Sequence, residues 1–287
     1  MLTSFELYTP TSVAEACQLK KELKGTFLAG GTDVLVNMHG GKKYENVIDL
    51  KGIEELRGIQ ETDDALVIGA LTPHHAIEES HYYQENYSAL WEGCSQVGSV
   101  QIRYRGTIGG NLCNAVPSAD SIGPLLVFGA LCVIASAEGE RTVPVSEFFV
   151  GPKKTVLEEG ELLKAIIVPK PPVNTGSCYI KYTRRRAMDL ALCGCSVLVT
   201  LDDQDTIVNA RVSLTTSAPT PIRSAAAEAY LVGKKAGEVD LEELGKLTAG
   251  DASPRSSWRS SAEFRVALIQ ELVGRAYNTA LARAKEN

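Results

Sequence analysis

The stretch TIGGNLCNAVPSAD (residues 107–120) has a glycine pair near its start and ends on a carboxylate, and a second glycine pair lies in LAGGTDVLV (28–36). Glycine has no Cβ, so it adopts positive φ at little cost and lets another molecule approach the backbone. Successive N–H groups in such turns converge into concavities that bind anions such as a diphosphate. The two stretches therefore predict a pair of loops that grip one dinucleotide from two sides.

Each glycine pair taken alone also fits an ordinary turn, because Gly-Gly is a common dipeptide. Neither pair matches the dinucleotide fingerprint GxGxxG followed by an acidic residue, and neither matches the phosphate loop GxxxxGK[ST]. Spacing by itself therefore leaves a nucleotide site and two plain turns both open.

Length and composition indicate a soluble globular protein of one large or two ordinary domains, with 287 residues, 44% hydrophobic and 22% charged. The net charge is −6, and no basic tail or stripe predicts a nucleic-acid partner. The longest nearly apolar run, 122–137, is interrupted by glycine and proline and is short for a bilayer, so no membrane partner is expected. The first ten residues lack the features of a signal peptide, which makes the cytoplasm the expected location.

Cysteine and histidine spacing predicts no metal site on this chain. There are seven cysteines and four histidines, but no CxxC or HExxH pattern. Cys193 and Cys195 alone lie close together, and on a strand they would share one face as small buried thiols. His74 and His75 are adjacent, and all four histidines are expected to be exposed residues of loops or helices.

Short helical and extended patterns alternate in the first part of the chain. Ser12 and Glu15 have capping-box spacing ahead of an apolar face, which predicts a helix over 11–24. Turn residues at Asp63–Asp64 and Glu138–Gly139 predict two β-hairpins. The expected strands and hairpins cover 26–29, 46–50, 56–72, 131–145 and 161–172, and a further helical pattern covers 84–98.

PKPPVNTGS (169–177) is the strongest linker signal, because proline interrupts strand pairing. It predicts an N-terminal domain over 1–172 and a C-terminal domain over 173–287. Beyond the linker come three extended patterns, expected to form an antiparallel sheet, and then three helical ones. The extended patterns are 177–183, 195–201 and 207–216, and the helical patterns are 225–233, 240–248 and 259–284. The whole chain is thus predicted to be an α+β protein.

Taken together, five stretches resemble the FAD-binding (medium) subunit of the molybdenum hydroxylases, the family of xanthine dehydrogenase. They are LAGGTDVLV (28–36), QIRYRGTIGGNLCNAVPSAD (101–120), KYTRRRAMDLALCGC (181–195), APTPIRS (218–224) and SPRSSWRSSAEFRVALIQELVGRA (253–276). The last one is closest to the end of bacterial xanthine dehydrogenase FAD-binding subunits. The resemblance runs from about residue 3 to 284.

This resemblance implies the fold and the cofactor. The expected fold is α+β, with a two-subdomain FAD-binding domain of the vanillyl-alcohol-oxidase/MurB (PCMH) type followed by a CO dehydrogenase flavoprotein C-terminal α+β domain. The first loop of the family that binds the diphosphate matches Phe27, Leu28, Ala29, Gly30, Gly31, Thr32, Asp33 and Val34. The second loop matches Thr107, Gly110, Asn111 and Asn114, and later flavin contacts match Asp120, Leu162 and Lys181.

Lys181 has a further expected role. Two-electron reduction places negative charge on the N1/C2=O edge of a flavin, and a fixed cation nearby raises the reduction potential. A plain surface lysine is the alternative. Val97 aligns with a position that is an aromatic flavin contact in some relatives, so no stacking role carries over to it.

The resemblance also implies partners and a division of labour. A large molybdopterin subunit hydroxylates the substrate, a small subunit with two [2Fe–2S] clusters relays electrons, and FAD on this chain passes a hydride to NAD⁺. A dimer of heterotrimers is expected, and this chain should hold no metal and no acid or base for the hydroxylation. An extra [4Fe–4S] cluster is disfavoured, since residues 121–160 contain Cys132 alone. RRR (184–186) is either a solvated turn or a patch that faces a partner.

Three alternatives stay open at this point. The chain could be a stand-alone FAD-dependent oxidoreductase of the same fold, or an assembly subunit that has lost FAD. A molybdenum hydroxylase for another N-heterocycle or an aldehyde is equally compatible with the FAD subunit, because the molybdenum subunit selects the substrate.

Overall fold

Strands and helices are described for residues 4–286 of the computed structural model, so residues 1–3 and 287 of the two predicted domains lie outside the described part. The strands are β1 (Glu6–Tyr8), β2 (Thr26–Leu28), β3 (Asn46–Asp49), β4 (Ile59–Glu61), β5 (Ala65–Gly69), β6 (Leu131–Ala135), β7 (Glu140–Pro144), β8 (Phe149–Gly151), β9 (Lys154–Thr155), β10 (Leu162–Pro169), β11 (Thr175–Tyr182), β12 (Cys193–Leu201), β13 (Ile207–Thr215) and β14 (Ile222–Arg223). The α-helices are α1 (Val13–Leu23), α2 (Val34–His39), α3 (His74–Glu78), α4 (His81–Asn86), α5 (Ser88–Ser95), α6 (Val100–Arg105), α7 (Ile108–Asn114), α8 (Ile122–Phe128), α9 (Val145–Phe148), α10 (Ala225–Leu231), α11 (Leu241–Gly250) and α12 (Ala262–Glu286).

The first subdomain is a three-stranded parallel sheet, in the order β1-β3-β2, with α1 against it. Ser12 begins α1 as predicted, because its Oγ accepts a hydrogen bond from the backbone N–H of Glu15. The Glu15 carboxylate accepts from the N–H of Thr11 at 2.8 Å and so does not complete the capping box on Ser12. From β2 the chain passes directly into the first glycine loop.

The second subdomain is a five-stranded antiparallel sheet, in the order β4-β5-β10-β6-β7. Both predicted hairpins are confirmed, since β4 pairs with β5 and β6 pairs with β7. Strand β10 lies between the hairpins and pairs with β5 and β6. Helices α5, α7 and α8 contribute Leu90, Leu112 and Leu125 to the same hydrophobic core as this sheet. The second glycine loop begins α7, so the sheet holds that loop in place.

The third sheet, in the order β11-β12-β13-β14, is antiparallel as predicted. Helix α12 packs against β11 and β12, while α5 and α8 of the first part of the chain also pack against this sheet. All nine residues of β12 are therefore buried. Cys193 and Cys195 contribute to the same core cluster, which fits the prediction of small buried thiols on one face. The irregular connection before this sheet is shorter than the predicted linker at 169–177, because β10 extends to Pro169 and β11 begins at Thr175.

The prediction for His74 is wrong, because its side chain is buried. Helix α3 packs against α5 and α6, and the backbone N–H of His74 donates to the carbonyl of Gly106. Burial lowers the pKa of His74 to about 4, so the ring is neutral at pH 7. The prediction also fails at His75, whose side chain is only 15% exposed, whereas His39 and His81 are exposed as predicted.

Among residues 4–286, no helix is long and apolar enough to cross a membrane. Over the same residues, no group of three His, Cys, Asp or Glu side chains is arranged to hold a metal ion.

Candidate functional site at the two glycine loops

The two glycine loops lie directly against each other. Gly30 packs against the end of α6, and a Cβ placed on Gly30 would overlap the carbonyl oxygen of Arg105. On the other side, a Cβ placed on Gly110 would lie 3.9 Å from the Cβ of Ala29. Gly31, which follows Gly30 in the first loop, has a φ of +81°, a backbone conformation that residues with a side chain rarely adopt. Two segments far apart in sequence thus form one backbone-lined surface.

A hydrogen bond joins the far ends of the same loops. The side-chain amide of Asn114 donates to Oδ1 of Asp33 at 2.9 Å, across 81 positions of sequence. Asp33 occupies the N-cap position of α2, but its carboxylate makes no capping bond there. Its carboxylate therefore helps to hold the two loops together.

The first loop offers free backbone donors. Within residues 4–286, the N–H groups of Gly30, Gly31 and Thr32 donate no hydrogen bond to the protein. The carbonyl of Gly31 accepts from the N–H of Leu35, so α2 starts directly behind this loop. Free, consecutive backbone amides in a glycine turn are a donor set that can bind a diphosphate.

The second loop differs from the prediction, because its amides are already bonded within the protein. Thr107 caps α7 by accepting the N–H of Gly110 on its hydroxyl at 3.0 Å. The amides of Ile108 and Gly109 donate to the carbonyls of Thr72 and Ala70. The expectation of a second set of free amides is therefore wrong, since this turn is hydrogen-bonded to the residues that follow β5. What this loop can present is the bare backbone of Gly110 and polar side chains.

Asn111 and Asp120 follow on the same segment. The Asn111 side-chain oxygen accepts a hydrogen bond from the Ser121 hydroxyl at 2.7 Å, which fixes the amide group of Asn111. Asp120 is buried, and its Oδ2 accepts from the Lys181 ammonium at 2.7 Å. The segment that carries the second loop thus also connects it to the third sheet.

Lys181 is neither a free cation nor a surface residue. Its side chain is 6% exposed, and its ammonium also donates to the backbone carbonyl of Gln96 at 2.9 Å. Burial raises the pKa of Asp120, while Lys181 and a hydrogen bond from the Tyr179 hydroxyl oppose that rise. The paired charges cancel, and the ammonium keeps one of its three hydrogens for a ligand. Gln96 is followed by Val97, the position that aligns with an aromatic flavin contact in some relatives. That position therefore lies next to a residue that Lys181 contacts.

Leu162 lies in the core behind the first loop. It begins β10 and is buried in a core cluster with Leu71, while Phe27 packs against the same cluster. Leu28 and Val34 flank the first loop at the end of β2 and the start of α2. The structure therefore unites the glycine loops with Asn114 and links Asp120 to Lys181, but it leaves Leu162 in the core behind them.

Sequence reasoning missed two features of this region. A cavity of about 110 Å³ adjoins the first loop and is lined by Ala29, Gly30, Leu71, Pro73, Tyr104, Thr107 and three cations, Lys51, Arg57 and Arg105. Lys51 and Arg57 lie within one short segment and Arg105 comes from a distant one, so no local motif indicated the three together. Tyr179 was also missed, although its spacing from Lys181 on a strand places both on one face. A larger cavity of about 510 Å³ between α11 and α12 contains no predicted site residue, and its polar helix surfaces offer none of the loop geometry above.

Comparison with known proteins agrees with this geometry. Residues 3–171 match the family model described as the FAD binding domain in molybdopterin dehydrogenase. Residues 178–280 match the CO dehydrogenase flavoprotein C-terminal domain. Together, the two matches confirm the predicted α+β fold class.

Two curated relatives cover nearly the whole chain. The xanthine dehydrogenase FAD-binding subunit of Escherichia coli O157:H7 is 38% identical over 260 residues, which is 90% of this chain and 89% of that protein. The carbon monoxide dehydrogenase medium chain of Hydrogenophaga pseudoflava is 33% identical over 282 residues, covering 97% of this chain and 98% of that one. A solved carbon monoxide dehydrogenase from Hydrogenophaga pseudoflava superposes with a TM-score of 0.93 at 34% identity, over 99% of both chains. The chain therefore belongs to the FAD-binding medium subunits of the molybdenum hydroxylase family.

Proposed function

We propose that this chain is the FAD-carrying electron-transfer subunit of a xanthine dehydrogenase-type molybdenum hydroxylase, and that it passes electrons from [2Fe–2S] clusters of a partner subunit to NAD⁺. The observation that carries this proposal is the junction of the two glycine loops. The free amides of Gly30 and Gly31 face no protein acceptor, and the Asp33–Asn114 hydrogen bond holds the second loop beside them. This arrangement suits a dinucleotide and needs no catalytic side chain.

The residues present fit FAD, so we assign their roles as follows. The amides of Gly30, Gly31 and Thr32 bind the diphosphate, and Gly110 lets it approach the backbone of α7. Thr107, Asn111 and Asn114 shape that surface, while Phe27, Leu28, Ala29, Val34 and Leu162 pack behind it. Asp120 and Lys181 would hold the flavin end, where Lys181 has one ammonium hydrogen left to donate. Bound FAD supplies a carrier that takes up single electrons and releases a hydride.

Partners and substrate follow from the same proposal. We infer a large molybdopterin subunit and a small [2Fe–2S] subunit, assembled as a dimer of heterotrimers in the cytoplasm.

A domain boundary at 172/173 would fall in the connection between β10 and β11. Curated relatives include a caffeine dehydrogenase subunit and a nicotinate dehydrogenase FAD-subunit, so the hydroxylated substrate depends on the molybdenum subunit. Xanthine or hypoxanthine is our choice, because the E. coli xanthine dehydrogenase subunit shares 38% identity.

Gly110→Val is expected to remove most of the bound FAD. A side chain at this position starts 2.9 Å from the Thr107 hydroxyl, which caps α7, and it projects onto the surface assigned to the diphosphate. Loss of the cap alone costs about 1 kcal/mol, and the blocked approach adds to it. FAD content is measured as the ratio of flavin to protein absorbance after gel filtration. Gly151→Val is the control, because a Cβ there meets open space. Equal FAD content in both variants would contradict the assignment of Gly110.

The isolated chain, reconstituted with FAD, is expected to oxidise NADH with ferricyanide as acceptor and to leave xanthine unchanged. NADH needs only the flavin, whereas hydroxylation needs a molybdenum site that we place in the partner. Both activities are followed by absorbance, and the Gly110→Val variant serves as the preparation without FAD. Turnover of xanthine by this chain alone would favour a stand-alone oxidoreductase. A chain that binds no flavin would favour an assembly subunit.

A further inference from the structure

We propose that Tyr179 is a positioning residue that holds the Asp120–Lys181 ion pair in the orientation that directs the Lys181 ammonium toward the flavin, and so sets the reduction potential of that flavin. This inference rests on the proposed function, because it needs FAD at the Lys181 end of the site. Tyr179 itself does not need to touch the cofactor.

The buried carboxylate of Asp120 has two different partners. Its Oδ1 accepts the Tyr179 hydroxyl at 2.7 Å, and its Oδ2 accepts the Lys181 ammonium at 2.7 Å. With each oxygen committed to one partner, the carboxylate has a single orientation. Asp120 lies between α7 and α8, whereas both of its partners lie on β11. The triad therefore joins the segment of the second glycine loop to the third sheet.

The strand geometry explains how two partners reach one carboxylate. Tyr179 and Lys181 are two positions apart on β11, so their side chains leave the same face of the sheet. Gly194 pairs with Lys181 on the neighbouring strand β12. A Cβ on Gly194 would lie 2.8 Å from the Tyr179 hydroxyl oxygen, so this glycine provides the space that the hydroxyl occupies.

The Lys181 ammonium is shared between two acceptors, the Asp120 carboxylate and the carbonyl of Gln96. Its third hydrogen is the donor that remains for a ligand. Without the Tyr179 hydroxyl, Oδ1 of Asp120 has no donor and the carboxylate turns to offer both oxygens to Lys181. That turn draws the ammonium toward Asp120 and away from the flavin. Reduced flavin, which carries negative charge, then loses stabilisation.

Tyr179→Phe is therefore expected to make reduction of the bound flavin less favourable by about tenfold, which is about 30 mV for a two-electron couple. The affinity for FAD should stay within about twofold, because the assigned diphosphate contacts lie elsewhere. The potential is measured by spectroelectrochemical titration of the purified chain with FAD bound, at fixed pH. Tyr277→Phe is the matched control, since its buried hydroxyl donates to the carbonyl of Ala236 at 2.8 Å in the same domain.

Two further results decide the proposal. In a Lys181→Met background, adding Tyr179→Phe is expected to cause no additional shift, because the residue through which Tyr179 acts is gone. A shift of equal size in that background, or in Tyr277→Phe, would overturn the positioning role. An unchanged potential in Tyr179→Phe, or complete loss of FAD from it, would overturn the role as well. If the unsubstituted chain binds no FAD, the proposed function fails first.

Discussion

Gly30→Ala is expected to abolish FAD binding and to destabilise the protein by more than the about 1–3 kcal/mol typical of an overpacked core. The added Cβ would overlap the carbonyl oxygen of Arg105, so backbone has to move on one side of the contact or the other. A flexible side chain could rotate away from such an overlap, but the end of α6 cannot. The junction of the two loops therefore opens, and the free amides of Gly30 and Gly31 no longer face the second loop.

Two measurements test this expectation. The free energy of unfolding comes from urea titration, and FAD content comes from flavin absorbance after gel filtration. Gly151→Ala is the matched control, because it adds the same methyl group in open space. Wild-type FAD content in Gly30→Ala would show that the loops do not need their present contact to hold the cofactor.

Lys181→Ala is expected to lower the unfolding free energy by about 3–5 kcal/mol at neutral pH. The substitution leaves the Asp120 carboxylate buried with only the Tyr179 hydroxyl as partner. It also removes the cation assigned to the flavin, so the flavin potential should fall while FAD stays bound. Lys246→Ala is the control, because that lysine pairs with Glu242 on the surface and its loss should change little.

The loss of unfolding free energy in Lys181→Ala should depend on pH, and its direction follows from the pKa of Asp120. Burial already raises the pKa of Asp120 above its ordinary value of 3.8, and the lysine opposes this rise. Removing Lys181 raises the folded-state pKa further, so the folded variant binds a proton more tightly than the unfolded chain does. Its stability therefore falls as pH rises from 3.8 through that raised pKa, and recovers on acidification. A deficit that does not shrink as the pH falls toward 3.8 would show that Asp120 does not carry the effect.

Much of the local structure could be predicted because its causes are local. Ser12 caps α1 through the backbone of Glu15, three residues away. The turns near Asp63 and Glu138 connect adjacent strands, so residue preference alone located both hairpins. The prediction failed at His74, where helical spacing could not show that α5 and α6 would cover the ring.

By itself, the sequence determined which backbone stretches are bare enough to admit a dinucleotide, because the absence of a Cβ in Gly30, Gly31 and Gly110 is a property of the residue. Only the tertiary structure decided which of those stretches offers free amides, since the partners of Ile108 and Gly109 lie on another segment. It likewise decided that Asp120 holds Lys181 and Tyr179, which are 61 and 59 positions away. Contacts over such separations depend on how sheets and helices pack, and no short pattern of residues encodes that packing.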